Sequence, residues 1–286
     1  MDATTHDADT MAPTRVRMVE VDGQPLRVGV RSGAREQPPL LIFNGIGANL
    51  ELVEPFTDAL AGIETVVFDV PGVGGSPAPS WPYRFWHLAQ LADRLMTQLG
   101  YGPKIDVIGV SWGGALAQQF AFQYPQRCRR LVLAATAAGG LMVPGELSVL
   151  SKMASPRRYA DPEYMAQVGA ELYGGVFRRR PELLRKHAHH MRAPRGRGYQ
   201  YQQLAMLGWN SALGLPLLRQ PTLVLAGSDD PIVPLVNARM LAALIPDARL
   251  HVVDDGHLFL VTRAPEIARV VDAFLAGATG ARRPRR

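Results

Sequence analysis

The sequence predicts an α/β protein, a mostly parallel central sheet flanked by helices with a helical cap inserted into it. Three observations lead there. Short continuous apolar runs, as expected of strands buried on both faces, alternate with stretches of helical spacing. One run, Ile105 to Val110, passes through the turn Gly109-Val110-Ser111-Trp112-Gly113 into a helix-compatible segment. Between about Gly139 and Gly214 the alternation stops, and five prolines, many aromatics and short amphipathic segments replace the strand runs before it resumes. The chain of 286 residues is therefore divided into a core domain (16–138 and 215–278), a cap (139–214), a flexible N-terminal arm (1–15) and a basic C-terminal tail (279–286).

Taken in order, residues 16–21 and 26–31 alternate around Asp22-Gly23 and predict an antiparallel hairpin. Residues 39–43 form a buried-type strand leading into the loop Asn44-Gly45-Ile46-Gly47-Ala48-Asn49, and 65–70 form another. The Gly-rich stretch 71–76 that follows lacks the Lys-Ser/Thr of a phosphate loop and reads as a structural turn. A helix is predicted over 85–99 with Gly100 at its C-cap, a second opening from the Ser111 turn and continuing over 115–124 until Pro125, and strands at 131–135 and 222–227. A helix over 237–244 and a strand over 250–253 precede the loop that carries His257.

Composition narrows the function classes. Hydrophobic content of 47% and charged content of 20% fit a globular protein. No apolar stretch is long enough to span a bilayer, and the acidic N-terminus lacks the pattern of a secretory signal. The single Cys128 excludes an internal disulfide and fits a reducing compartment, so a cytoplasmic location is expected. The net charge of +6 is concentrated in two places. Residues 141–214 hold eleven Lys/Arg against five Asp/Glu, and Arg282, Arg283, Arg285 and Arg286 fill the tail. No nucleic-acid motif accompanies this charge, which reads as a solvated basic face. His187, His189 and His190 lack nearby Cys or paired acids at ligand spacing, so no metal site is expected.

The chemistry is carried by the turn around Ser111. Gly109 and Gly113 flank a residue that must sit at a strained backbone angle for its hydroxyl to project freely. An acid at the end of the late strand and a histidine after the last one follow in chain order. Asp230 is preferred to Asp229, which reads as stabilising the turn, and His257 alone among the seven histidines has the right order and loop position. A serine hydroxyl becomes nucleophilic when an imidazole takes its proton, and the imidazole needs a carboxylate to fix its tautomer. Ser111, His257 and Asp230 thus predict two-step ester hydrolysis through an acyl-enzyme, with no cofactor. The oxyanion needs two backbone donors, assigned to Ile46 and Trp112, while Asn44, Gly45 and Gly47 shape the substrate-facing loop. Tyr159, Tyr164, Met165, Tyr173, Phe177, Tyr199, Tyr201, Met206, Leu207 and Trp209 supply either an acyl pocket or the cap's own core.

Five segments carry a resemblance to a known family: residues 43–56, 68–76, 107–120, 153–159 (Met-Ala-Ser-Pro-Arg-Arg-Tyr) and 254–260 (Asp-Asp-Gly-His-Leu-Phe-Leu). The chain resembles the intracellular medium-chain-length poly(3-hydroxyalkanoate) depolymerases of the α/β-hydrolase fold. Asn44 before Gly45 and Pro71 before Gly72 are variants shared with that group. The resemblance implies a polyester or oligoester substrate with medium-length 3-hydroxyacyl units, 3-hydroxy acids or oligomers as products, and contact with storage granules. Ser111, where related polymerases have Cys and dehalogenases Asp, favours hydrolysis. A general carboxylesterase or lipase is the competing reading, and a non-catalytic granule-coat protein is the remote one. The residues leave oligomeric state and endo- or exo-cleavage open.

Overall fold

A computed structural model describes residues 13–277 apart from 34, 35, 61, 189 and 195. The basic tail, all but the last residues of the N-terminal arm, and His189 lie outside the described residues, as does the side chain of His187. The strands are β1 (Arg15–Val21), β2 (Gln24–Arg31), β3 (Leu40–Phe43), β4 (Thr65–Phe68), β5 (Ile105–Val110), β6 (Cys128–Ala134), β7 (Thr222–Gly227) and β8 (Ala248–Val253). Among the described residues they form one eight-stranded sheet in the order β1-β2-β4-β3-β5-β6-β7-β8. β2 pairs antiparallel with β1 and β4, and the remaining pairs are parallel. Asp22 and Gly23 both take positive φ, 51° and 76°, as the tight turn between β1 and β2 requires.

The core helices are α1 (Glu54–Ala59), α2 (Phe85–Gln98) and α3 (Trp112–Gln123). Among the described residues six helices lie between β6 and β7, in the segment expected to be the cap and called so below: α4 (Leu147–Met153), α5 (Arg157–Ala160), α6 (Pro162–Tyr173), α7 (Val176–Arg179), α8 (Glu182–Ala188) and α9 (Gly198–Met206). α10 (Leu235–Leu244), α11 (Phe259–Thr262) and α12 (Ala264–Leu275) complete the chain. Side chains alternate across each strand, so Leu41, Phe43 and Val107 join a core layer with α2 and α3, whereas Leu40, Ile42 and Ile108 join the opposite layer with α12. Each such buried side chain contributes ~1.5–3 kcal/mol. Phe85, Leu88, Ala89, Ala92, Leu95 and Met96 give α2 its buried face. The helix stops where Gly100 turns to φ 85° and Tyr101 N–H reaches back to Met96 O at 3.0 Å, closing a Schellman cap.

Several boundaries shift from the expected ones. The helix after Ser111 begins at Trp112, because Gly113 and Gly114 are accepted into a first turn packed against β3 and Thr136. β6 opens at Cys128, whose neighbours Arg129 and Arg130 break the apolar pattern; Arg129 donates through Nε to the buried Asp106 at 2.9 Å. Burial pushes the Cys128 thiol pKa up, out of the reactive range. The Gly-rich turn after β4 closes around Asp69, whose carboxylate accepts the Leu50 and Gly75 amides, each at 2.7 Å. Helix α1, started by Pro55 in its first turn, is too short for periodicity to reveal.

Candidate active site

Ser111 follows β5 at φ 54° and ψ −118°, a conformation that costs a non-glycine residue ~1–3 kcal/mol. The surroundings enforce it. Ser111 N–H donates to Ala134 O at 2.8 Å, and its carbonyl accepts Gly114 N–H at 2.9 Å and the Thr136 hydroxyl at 2.7 Å. A Cβ on Gly109 would stand 2.2 Å from Gly113 O, and one on Gly113 would stand 2.2 Å from Phe43 O. Only glycine permits strand and helix to approach so closely.

Asp230 follows β7 and is buried. One carboxylate oxygen, Oδ1, accepts the Ile232 and Val233 amides at 2.9 Å each, which fixes its plane. The other, Oδ2, lies 2.7 Å from Nδ1 of His257. Their side chains are 1% and 5% exposed, so the interaction is little screened by water. Donation from Nδ1–H leaves Nε2 to accept a proton. The His257 main chain is tied to the cap by its N–H to Tyr173 O at 2.8 Å, and its ring stacks near Tyr173 at 6.5 Å between centroids. Asp229 points elsewhere: it accepts the Gly175 amide at 2.8 Å and pairs with Arg178 at 3.3 Å, binding the core to the cap.

Two cavity lobes meet at Ser111. The smaller, about 60 Å³, is lined by Asn44, Gly45, Ile46, Ser111, Arg158, Tyr159, Tyr173 and His257 among others. The larger, about 360 Å³, is mostly apolar and is lined by Ser111, Trp112, Ala115, Leu150, Tyr199, Met206, Trp209 and Ile232 among others. Among the described residues, the main-chain amides of Ile46 and Trp112 have no acceptor within the protein. Asn44 shapes the loop by donating to Asn49 O and accepting Gly45 N–H, both at 2.9 Å. Gly47 lines neither lobe: its amide donates to Gln202 Oε1 at 2.7 Å, and a Cβ there would be 2.7 Å from the Tyr159 ring.

The ten cap residues left undivided by the sequence separate in space. Tyr159 and Tyr173 face the small lobe, and Tyr199, Met206 and Trp209 face the large one. Met165 and Phe177 pack in the cap's own core, Tyr201 packs on the sheet domain, Tyr164 lies under Arg157, and Leu207 faces solvent. Sequence reasoning gave no role to Arg158 or Gln202. In the four-residue helix α5 no sequence feature distinguishes Arg158 from Arg157; in the fold the first is buried and the second pairs with Asp161 at the surface.

Among the described residues no group of three His, Cys, Asp or Glu could hold a metal ion, and no helix is long and apolar enough to cross a membrane. The α/β hydrolase fold family model matches residues 38–264. The chain is 56% identical over 264 residues to a poly(3-hydroxyalkanoate) depolymerase of Ectopseudomonas oleovorans, covering 92% of this chain and 93% of that one. A solved hydrolase from Pseudomonas aeruginosa is similar with TM-score 0.78 and 25% identity, covering 92% of this chain and 99% of its own. An enol-lactonase from Burkholderia xenovorans shares the fold at TM-score 0.77 and 24% identity, covering 91% and 100%. With the sheet, the strained serine turn and these relationships together, the chain belongs to the α/β-hydrolase fold family, groups there with the poly(3-hydroxyalkanoate) depolymerase, and is an ester hydrolase.

Proposed function

We propose that this ester hydrolase cleaves poly(3-hydroxyalkanoate) with medium-length side chains, using Ser111 as nucleophile, His257 as general acid and base, and Asp230 to orient His257. The observation that carries the reading is the buried Asp230–His257 pair at 2.7 Å, opening on the same cavity as Ser111. Ser111 Oγ attacks the acyl carbon while Nε2 of His257 takes its proton. The negative oxygen of the tetrahedral intermediate is stabilised by the free amides of Ile46 and Trp112, each such donor being worth ~10²–10³ in rate. His257 then protonates the departing alcohol, and water, activated by the same imidazole, releases the acid from Ser111.

The medium-chain preference is supported by the apolar lobe of about 360 Å³ beside Ser111 and by the identity to the depolymerase. On this reading 139–214 is a lid over a core formed by 16–138 and 215–278, and the enzyme works in the cytoplasm at the surface of storage granules. The test is release of soluble 3-hydroxy acids from poly(3-hydroxyoctanoate) latex, beside poly(3-hydroxybutyrate) and tributyrin, with Ser111→Ala as control. Selective release from the octanoate polymer is expected. Hydrolysis of tributyrin alone would leave a capped esterase and remove the polymer from the proposal.

A further inference from the structure

His257 lines the smaller lobe and not the larger, so a leaving alcohol that receives its proton departs on the smaller side. The same lobe contains Arg158, which is only 2% exposed. Its Nη1 donates to the Tyr199 hydroxyl at 2.9 Å and, at 3.4 Å, to Ser155 O. Its Nη2 makes a long 3.5 Å contact with Ile46 O, and Nε is buried without an acceptor. The guanidinium lies against the rings of Tyr159 and Tyr199, at 4.5 and 5.5 Å. Among the described residues no Asp or Glu pairs with it, whereas the buried Arg31 and the partly buried Arg27 and Arg129 each face a carboxylate. A buried cation without an anion is costly, and such a group calls for a partner.

We propose that Arg158 anchors the free carboxylate at the end of the substrate, so that the enzyme removes units one at a time from the carboxyl end of the chain. The inference rests on the polyester reading above. In a 3-hydroxyacyl polymer the terminal unit is –O–CHR–CH₂–COO⁻, which places the carboxylate only a few bonds from the scissile ester. An alkoxy oxygen at His257 and a carboxylate at Arg158 both lie on the smaller lobe, which the two residues line, while the rest of the chain extends towards the apolar one. The balance closes. The acyl C–O bond breaks as the Ser111 Oγ–acyl bond forms, and the Ser111 proton passes through His257 to the leaving 3-hydroxy acid. Water then gives its hydroxyl to the acyl group and a proton back to Ser111. That second step creates a new terminal carboxylate, ready for the same anchor.

The test compares wild-type kcat/KM for the dimer of 3-hydroxyoctanoate as the free acid and as its methyl ester. Charge-assisted hydrogen bonds of this kind predict a preference for the free acid on the order of tenfold or more. In Arg158→Gln and Arg158→Lys the ratio between the two dimers should fall towards one for Gln and stay intermediate for Lys. If Arg158 merely steadied the Ile46 loop, both rates would drop and the ratio would persist. Equal wild-type rates on the two dimers, or a ratio preserved in both variants, overturns the anchor; the wild-type comparison decides even if a variant fails to fold. Cleavage of p-nitrophenyl octanoate but of neither dimer would instead overturn the polyester reading itself, and the anchor with it.

Discussion

On the sheet side of the cavity, Ser111 and the amides of Ile46 and Trp112 are placed by backbone: a strand end, a strained φ and glycines that admit no Cβ. On the cap side, Arg158, Tyr159 and Gln202 are placed by side chains reaching from α5 and α9. The Tyr159 hydroxyl donates to Ile46 O at 2.6 Å, Gln202 Oε1 accepts the Gly47 amide at 2.7 Å, and Trp112 Nε1 donates to Gln202 O at 2.9 Å. The loop that carries the Ile46 amide is thus gripped from above by the cap. In the proposed mechanism, backbone geometry on one side supplies the chemistry, and side-chain geometry on the other selects the substrate and bears on the first side through that loop.

The sharpest test of the backbone side is Ser111→Ala. Turnover of p-nitrophenyl octanoate should fall by at least ~10⁴-fold, while the thermal midpoint stays close to wild type, because the bonds that hold the turn are made by its main chain. A large loss of stability would mean that the hydroxyl is structural. Next come the paired acids. Asp230→Asn should lower kcat by ~10³–10⁴-fold through the wrong imidazole tautomer. Asp229→Asn, which touches Gly175 and Arg178 instead, should change kcat less than about tenfold. Equal losses in the two variants would break the assignment.

Gly47→Ala probes the seam between the two sides. Its φ of 73° and the 2.7 Å approach of the Tyr159 ring predict ~1–3 kcal/mol of lost stability. A lower kcat should accompany this, read by denaturant unfolding and by steady-state kinetics. A neutral result would show that the cap does not bear on the loop.

The smallest effect is at Glu51, which joins Arg27 at 2.6 Å and the cap's Arg192 at 2.8 Å. Burial by itself would raise its carboxyl pKa, but hydrogen bonds from Arg27 and Asn49 outweigh that and hold it at about 2. A depressed carboxylate contributes stability that is complete above its unfolded value, about 4.5. It is lost as pH falls towards 2. Wild type should therefore exceed Glu51→Gln in stability at pH 6, and the gap should narrow between pH 4.5 and 2 in acid-unfolding curves. A gap independent of pH would assign the effect to packing.

The serine turn was legible because it is local: Gly109, Ser111 and Gly113 stand within five residues, and each answers to one backbone constraint. Buried strands were legible as apolar runs, and α2 as a repeat of Phe85, Leu88, Ala92 and Leu95. α5, with four residues, spans too little of a helical repeat to say which of Arg157 and Arg158 turns inward. Asp69 gave no signal either, since its partners Arg27, Leu50 and Gly75 come from three separate segments.

By itself, then, the sequence determined the α/β alternation, the strained serine and the chain order of acid and histidine, since each depends on periodicity or on residues adjacent in the chain. Tertiary structure decided the rest. It brought Asp230, already preferred from the sequence, against His257, divided the cap's aromatics between two lobes and its own core, and left Arg158 buried without a carboxylate. Those outcomes depend on packing between segments distant in the chain, as Ile46 and Arg158 are at 112 residues apart, and no local pattern encodes which faces will meet.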